Sequence, residues 1–173
     1  MSLTLSDIQA IILASGSGSR YGMPKSQATV DGLLFSQKIS QSLLQAGVKK
    51  IFLAEDMTTD SMLQTLQQAV SQIPDIPRQF LVWPVDHPLV KSQTISELFE
   101  VARQNPDCVI KPEYLGQRGH PILIPSTLDL QQQEYHSLRE LIRYSGIGTV
   151  IVPVEDPAVV LNINKPDDLV QIP

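Results

Sequence analysis

The residues best suited to chemistry begin in a glycine-rich segment near the amino terminus. Residues 13–25 read LASGSGSRYGMPK and follow a continuous apolar run. Glycine lets the backbone approach a ligand closely and turn its amide groups toward it, while Arg20 and Lys25 add fixed positive charge. Together these features predict a polyphosphate site. The alternative is an ordinary strand-to-helix turn with two exposed cations, because glycine often marks simple turns.

The spacing argues against two other phosphate-binding loops. A dinucleotide-binding G-x-G-x-x-G loop fails because Gly22 comes one residue late and no acidic residue follows at the required distance. The next helix is also delayed, by Pro24 and by the turn residues at 31–32. A Walker A loop requires a lysine directly after glycine, whereas Lys25 follows Pro24.

A carboxylate follows another apolar run, in the sequence LVWPVDHPL over residues 81–89. Asp86 stands just past this predicted strand, and Pro84 and Pro88 stiffen the loop around it. Mg²⁺ binds one or two protein carboxylates together with phosphate oxygens and water, so Asp86 is a candidate Mg²⁺ ligand. A turn or helix-capping aspartate is the alternative at this position.

Two later segments carry the remaining candidates. In GQRGHP, over residues 116–121, Gly119 indicates a tight backbone position and His120 can donate a hydrogen bond to a phosphate or a polar ring. In NINKPDD, over residues 162–168, Asn162 comes at the end of a predicted strand and could contact a metal or a ribose. A hairpin turn with a structural histidine and a plain helix start are the respective alternatives.

Alternating apolar strands and amphipathic helices must position these residues. Continuous apolar runs predict buried strands, and a 3.6-residue period predicts helices. The predicted strands are 8–14, 48–54, 80–83, 108–110, 122–124, 150–152 and 159–163, and the main helices are 34–46, 62–73, 92–102 and 138–144. This alternation predicts a three-layer α/β/α sandwich around a mostly parallel, Rossmann-like sheet. Ligands of such folds bind at the carboxyl ends of the strands, where the candidate loops begin.

Composition restricts the class of partner. The chain has 173 residues, 42% hydrophobic and 18% charged, with a formal net charge of -5. That length predicts one domain over residues 1–173. The negative net charge argues against binding to nucleic acid or anionic lipid. Cys108 is the single cysteine, which excludes an internal disulfide framework. With no apparent signal or membrane segment, we expect a cytoplasmic protein, as a monomer or small homo-oligomer.

The order of these motifs resembles the MobA-like nucleotidyltransferases, which include the guanylyl- and cytidylyltransferases of molybdenum cofactor synthesis. The similarity starts in LASGSGSRYGMPK and continues through TVDGLLFSQKISQSLLQAGV to the Asp-x-Pro-Leu motif at residues 86–89. It then includes YLGQRGHPILI, closest to the cytidylyltransferase branch, and ends in NINKPDDL. The resemblance implies a fold of the nucleotide-diphospho-sugar transferase type.

The resemblance also implies a reaction and a set of site residues. A nucleoside monophosphate would move from CTP or GTP to a phosphate-bearing acceptor, possibly molybdopterin, and pyrophosphate would be released. Asp86 and Asn162 would hold Mg²⁺, Arg20 and Lys25 would hold the triphosphate, and Gly119 with His120 would line the acceptor side. Arg20, Lys25 and Asp86 would be the catalytic set. The nucleotide-binding set would be Leu13, Ala14, Ser15, Gly16, Ser17, Gly18, Arg20 and Lys25.

Departures from the family pattern keep two other functions open. No glycine occurs between Gly47 and Gly116, so the middle segment that contacts the base is shortened or rebuilt. Ser15 also replaces the usual alanine or glycine. A non-catalytic relative that binds a nucleotide or a partner protein is the first alternative. A nucleotidyltransferase acting on sugar or alcohol phosphates is the second.

Overall fold

A central β-sheet organises the part of the chain that the computed structural model describes, namely residues 3–15, 27–57, 59–164 and 168. The strands are β1 (Ile8–Leu13), β2 (Thr29–Val30), β3 (Leu33–Leu34), β4 (Ile51–Ala54), β5 (Gln79–Pro84), β6 (Val109–Tyr114), β7 (Gln117–Arg118), β8 (Ile122–Pro125) and β9 (Thr149–Pro153). The helices are α1 (Phe35–Gln45), α2 (Met62–Ser71), α3 (Ser92–Gln104) and α4 (Leu138–Tyr144). Strands and helices thus alternate along most of the chain.

The large sheet is mixed, and five of its seven strands among the described residues run in the same direction. Strand β1 lies between β4 and β5 and is parallel to both. Strand β8 is antiparallel to β5 and to β6, and β9 is parallel to β6 on its other side. The short β7 extends β6 as an antiparallel hairpin. The fold is therefore the predicted Rossmann-like α/β/α sandwich.

Two hydrophobic clusters cover the two faces of the sheet. Helices α1 and α3 supply Phe35, Ile39 and Leu98 to one cluster, and α2 and α4 supply Leu66 and Leu141 to the other. Side chains of β1 alternate between the clusters, since Ala10 and Ile12 belong to the first and Ile11 and Leu13 to the second. A strand covered on both faces needs apolar residues throughout, which explains its continuous hydrophobic sequence.

The small β2–β3 hairpin leads the chain into α1. Its two-residue turn places Asp31 at φ 52° and Gly32 at φ 77°. An Asp-Gly pair suits this geometry, because both central residues of a type I′ turn require positive φ. Lys38 Nζ reaches back from α1 to Asp31 Oδ2 at 3.1 Å. The delayed start of α1 is thus confirmed by a defined turn.

The prediction of a strand over residues 159–163 is wrong. The chain forms a short 3₁₀ helix, Pro157–Val159, and then continues without regular structure to residue 164. The cause is Asp156, whose buried carboxylate accepts hydrogen bonds from Ala158 N at 3.1 Å and from Lys91 N at 2.9 Å. These bonds fold the chain into a turn, so its apolar residues fill the core without joining the sheet.

No helix in the described ranges is both long and apolar enough to cross a bilayer.

Candidate active site

The end of β1 meets the end of β5 at one edge of the sheet. Val85 N donates a hydrogen bond to Leu13 O at 3.0 Å, and Ala14 N donates to Ala54 O at 2.9 Å. Leu13 and Ala14 are buried, and Ser15 is half-buried. Of the predicted nucleotide-binding residues, these three are thus fixed beside the loop that carries Asp86. The predicted residues Gly16, Ser17, Gly18, Arg20 and Lys25 lie outside the described residues.

A chain of hydroxyl groups connects the end of β1 to α2. Ser15 Oγ lies 2.7 Å from Thr65 Oγ1, which lies 2.6 Å from Thr59 Oγ1. Thr65 Oγ1 also donates to Ser61 O at 3.1 Å. Because a hydroxyl has one proton and two acceptor positions, Ser15 and Thr59 must then donate to Thr65. Ser15, which departs from the family pattern, is therefore bonded to the middle segment, which departs from it as well.

Asp86 and Asn162 come together through a backbone contact. Ile163 N donates to Asp86 O at 2.8 Å, so the residue before Ile163 lies next to the turn that follows β5. The Asp86 side chain is 16% exposed, and Asn162 is exposed. One carboxylate and one amide oxygen are a suitable protein contribution to Mg²⁺, which completes its shell with water and phosphate oxygens. The two residues therefore have the donor types that a substrate-associated divalent ion would require.

Two histidines lie behind the carboxylate. His87 Nε2 is 3.7 Å from Asp86 Oδ1, and the His87 ring centroid is 5.2 Å from that of His120. Burial, followed by the neighbouring His87, lowers the pKa of His120 to about 4. His120 is therefore neutral near pH 7. Its Nδ1 atom is buried and has no hydrogen-bond partner among the described residues.

Gly119 occupies its position because the backbone of Val159 runs against it. A Cβ atom at residue 119 would collide with the carbonyl of Val159. The same carbonyl accepts a hydrogen bond from His120 N at 2.8 Å, and Gly119 N donates to Pro112 O at 2.9 Å. The prediction of a tight backbone position here is confirmed. The sequence does not identify Val159 as the residue that crowds Gly119, because residues 159–163 are predicted as a strand.

A sequence profile of the MobA-like NTP transferase domain matches residues 10–150. The chain belongs to this family. Members are nucleotidyltransferases, so the chain is an enzyme of that class. A search of curated proteins gave no match.

Solved structures share the fold of this MobA-like protein along almost its whole length. Rv0371c from Mycobacterium tuberculosis H37Rv is 18% identical, with a TM-score of 0.74 and 95% of each chain covered. Mth528, a nucleotidyl transferase from Methanothermobacter thermautotroptrophicus, is 17% identical with a TM-score of 0.72, covering 95% of this chain and 94% of that chain. CMP:2-keto-3-deoxy-manno-octonic acid synthetase complexed with CTP is 13% identical, with a TM-score of 0.75 and 95% of each chain covered. These neighbours confirm the Rossmann-like fold of the chain.

The MobA-like domain also has a cavity that the sequence analysis did not anticipate. It measures about 1100 Å³ and is lined by Gly119 and His120 together with residues of α2, α4, β6 and β7. Several of these residues are basic, but they come from separate elements, and no local motif groups them. Among the lysine and arginine residues of the lining, only Arg118 is adjacent in sequence to a predicted site residue, in the GQRGHP segment.

Proposed function

We propose that the protein is a Mg²⁺-dependent nucleotidyltransferase that moves a nucleoside monophosphate from CTP or GTP to a phosphate-bearing acceptor of the molybdopterin type. Residues 1–173 would form one catalytic domain. The observation that carries the proposal is the approach of Asn162 to Asp86, beside the end of β1 in a MobA-like fold. Two of the structural neighbours were solved with CTP and with manganese, which also supports a nucleotide and a divalent ion.

The reaction is an in-line displacement at phosphorus. An oxygen of the acceptor phosphate forms a bond to the α-phosphorus of the NTP, and the bond from that phosphorus to the bridging oxygen of the β-phosphate breaks. Pyrophosphate leaves with the electron pair of the broken bond. Since the acceptor phosphate is already anionic, it requires little help from a general base. The demands on the protein are therefore positioning and charge stabilisation.

Each proposed residue has a defined part in that displacement. Bound Mg²⁺ would neutralise negative charge on the triphosphate. Asp86 and Asn162 would hold it, and Arg20 and Lys25 would bind the triphosphate and stabilise the charge on the departing pyrophosphate. The backbone at Leu13–Gly16 would face the base. Gly119 and neutral His120 would line the side from which the acceptor enters.

Pyrophosphate release tests this function. Purified protein would be incubated with each of the four NTPs, Mg²⁺ and a molybdopterin acceptor. We expect release with CTP or GTP, and a loss of about 100-fold or more in Asp86→Ala, because one charged contact to the reacting groups is removed. Asp75→Ala is a matched control, since Asp75 is exposed and precedes β5 at the opposite edge of the sheet. Nucleotide binding without release would instead identify a non-catalytic relative.

A further inference from the structure

The cavity of about 1100 Å³ lies on the face of the sheet that α2 and α4 cover. Alternation along β6 directs Val109 into the cluster beneath those helices, so Lys111 and Glu113 share that face. Lys111 and Glu113 both line the cavity. Helix α4, which borders the cavity as well, has only seven residues. The opening is thus built into the fold, at the sheet surface between the start of α2, α4 and the β6–β7 hairpin.

The lining of this cavity is basic in a protein that is acidic overall. The lining includes one carboxylate, that of Glu113, and four cationic side chains, those of Lys111, Arg118, Arg139 and Arg143. None of these four cations forms an ion pair with a carboxylate within the described part of the chain. Arg143 lies over the Tyr144 ring at 5.6 Å from its centroid, which leaves three cations with no such contact among the described residues. Unneutralised like charges gathered in one cavity indicate an anionic ligand.

Three of the cations lie close enough to influence one another. Burial lowers the pKa of Lys111, and the positive charges of Arg118 and Arg139 lower it further. Lys111 is half-buried, whereas Arg118 and Arg139 are exposed at the rim. A fixed ammonium at the base with two guanidinium groups at the rim can surround a phosphate, because guanidinium donors match its oxygens in pairs.

Apolar side chains complete the cavity. Ile122 comes from β8, Leu138 and Ile142 come from α4, and all three are buried residues that line it. An inorganic anion would make no use of such a surface. A cavity with a few polar groups and an apolar wall suits an organic molecule whose charged group is fixed at one place.

We propose that this cavity is the acceptor site and binds an organic phosphate, with Lys111, Arg118 and Arg139 holding the phosphate and Ile122, Leu138 and Ile142 contacting the organic body. The proposal rests on the proposed nucleotidyl transfer, whose acceptor carries a phosphate. His120 joins the two regions, since it lines the cavity and its ring lies 5.2 Å from that of His87, beside Asp86. A ligand in the cavity therefore borders the reaction site.

Amide NMR spectroscopy of the intact chain with phenyl phosphate tests the site directly, without nucleotide or Mg²⁺. We expect saturable shifts at residues 111–119 and 137–143, with a Kd below about 5 mM. Benzyl alcohol, which lacks the charge, and inorganic phosphate, which lacks the apolar body, should each bind at least about fivefold more weakly. Benzoate separates a phosphate from a carboxylate preference, and binding equal to that of phenyl phosphate would contradict the assignment of a phosphate.

Charge variants identify the residues responsible. Arg118→Gln and Arg139→Gln should each weaken phenyl phosphate binding by about tenfold, because each removes a charge-assisted contact from an exposed position without disturbing the core. Arg103→Gln is the matched control, since Arg103 lies on α3 and pairs with Glu100 at 3.3 Å. No binding, shifts confined to residues 13–15, or equal losses in the control would overturn the proposal.

The two proposals can fail separately. Asp86-dependent pyrophosphate release without phenyl phosphate binding in the cavity would reject the acceptor site and leave the transferase function standing. Specific binding in the cavity with no turnover of any NTP would reject the transferase function and leave an organic-phosphate site supported.

Discussion

The Asp86 region and the basic cavity are neighbours with opposite electrostatic character. Around Asp86 the described groups are a carboxylate, an amide and two histidines, of which His120 has a pKa of about 4. The cavity has Lys111 and three arginines. If a cation stood where His120 stands, it would compete with a metal ion for Asp86. A neutral ring between the two regions lets a carboxylate and a basic cluster operate side by side.

The sharpest way to test this separation is to remove the carboxylate charge alone. Asp86→Asn keeps the size of the side chain but weakens metal binding, so turnover should fall by about 100-fold or more. Phenyl phosphate affinity should stay within about twofold of wild type, because Asp86 does not line the cavity. Pyrophosphate release and amide NMR measure the two effects. Equal losses in both would mean that the regions are one site.

The backbone at Gly119, between the Asp86 region and the cavity, should be nearly as sensitive to substitution. Gly119→Ala places a methyl group against the Val159 carbonyl, and we expect a loss of about 3 kcal/mol in the free energy of unfolding. Gly116→Ala is the comparison, since Gly116 has open space around its Cα but a φ of 80°. It should lose only about 1 kcal/mol. Urea denaturation measures both, and a similar cost for the two variants would disprove the close approach.

Low pH should destabilise the folded protein through His120, which lies between the Asp86 region and the cavity. In the unfolded chain this histidine binds a proton near pH 6.5, but in the folded protein only near pH 4. Between these values the unfolded state alone is protonated, so stability falls as the pH falls and levels off below about pH 4. We expect about 3 kcal/mol from this residue, measured as the difference between wild type and His120→Gln in urea denaturation across that range. Parallel pH curves would exclude a neutral buried His120.

The smallest expected effect concerns the end of β1, on the nucleotide side. Ser15→Ala removes the donor to Thr65 and should cost about 1 kcal/mol of stability. If the hydroxyl chain orients the start of the glycine-rich loop, KM for the NTP should rise while phenyl phosphate affinity in the cavity stays the same. Ser40→Ala is a matched control, since Ser40 of α1 is also half-buried and its hydroxyl donates to Ser36 O at 2.8 Å. An unchanged KM would restrict Ser15 to a structural part.

The sequence predicts the features of this molecule that depend on local patterns. Apolar runs place β1 and β5, and the order of strands and helices gives the sandwich. The tight backbone position of Gly119 is predicted correctly, because a glycine precedes an apolar run at a turn. The metal-binding roles of Asp86 and Asn162 stay predictions, as do the roles of Arg20 and Lys25, which lie outside the described residues.

The remaining features depend on contacts between distant segments. Residues 159–163 are apolar like a strand, and only the bonds of Asp156 to α3 and to its own turn explain why they do not form one. The pairing of Ser15 with Thr65 joins residues from different elements. Lys111, Arg118 and Arg139 likewise come from β6, β7 and α4, so no spacing rule in the sequence could bring them together.

The reversed direction of β8 affects where functional residues can be found in such a sheet. In parallel strands, only a residue that follows a strand reaches the ligand edge. Because β8 runs antiparallel to β5 and β6, its amino end comes to that edge, and the residues before it reach the same place. His120 is such a residue. One inverted strand thus enlarges the part of this chain that can bring side chains to that edge of the sheet.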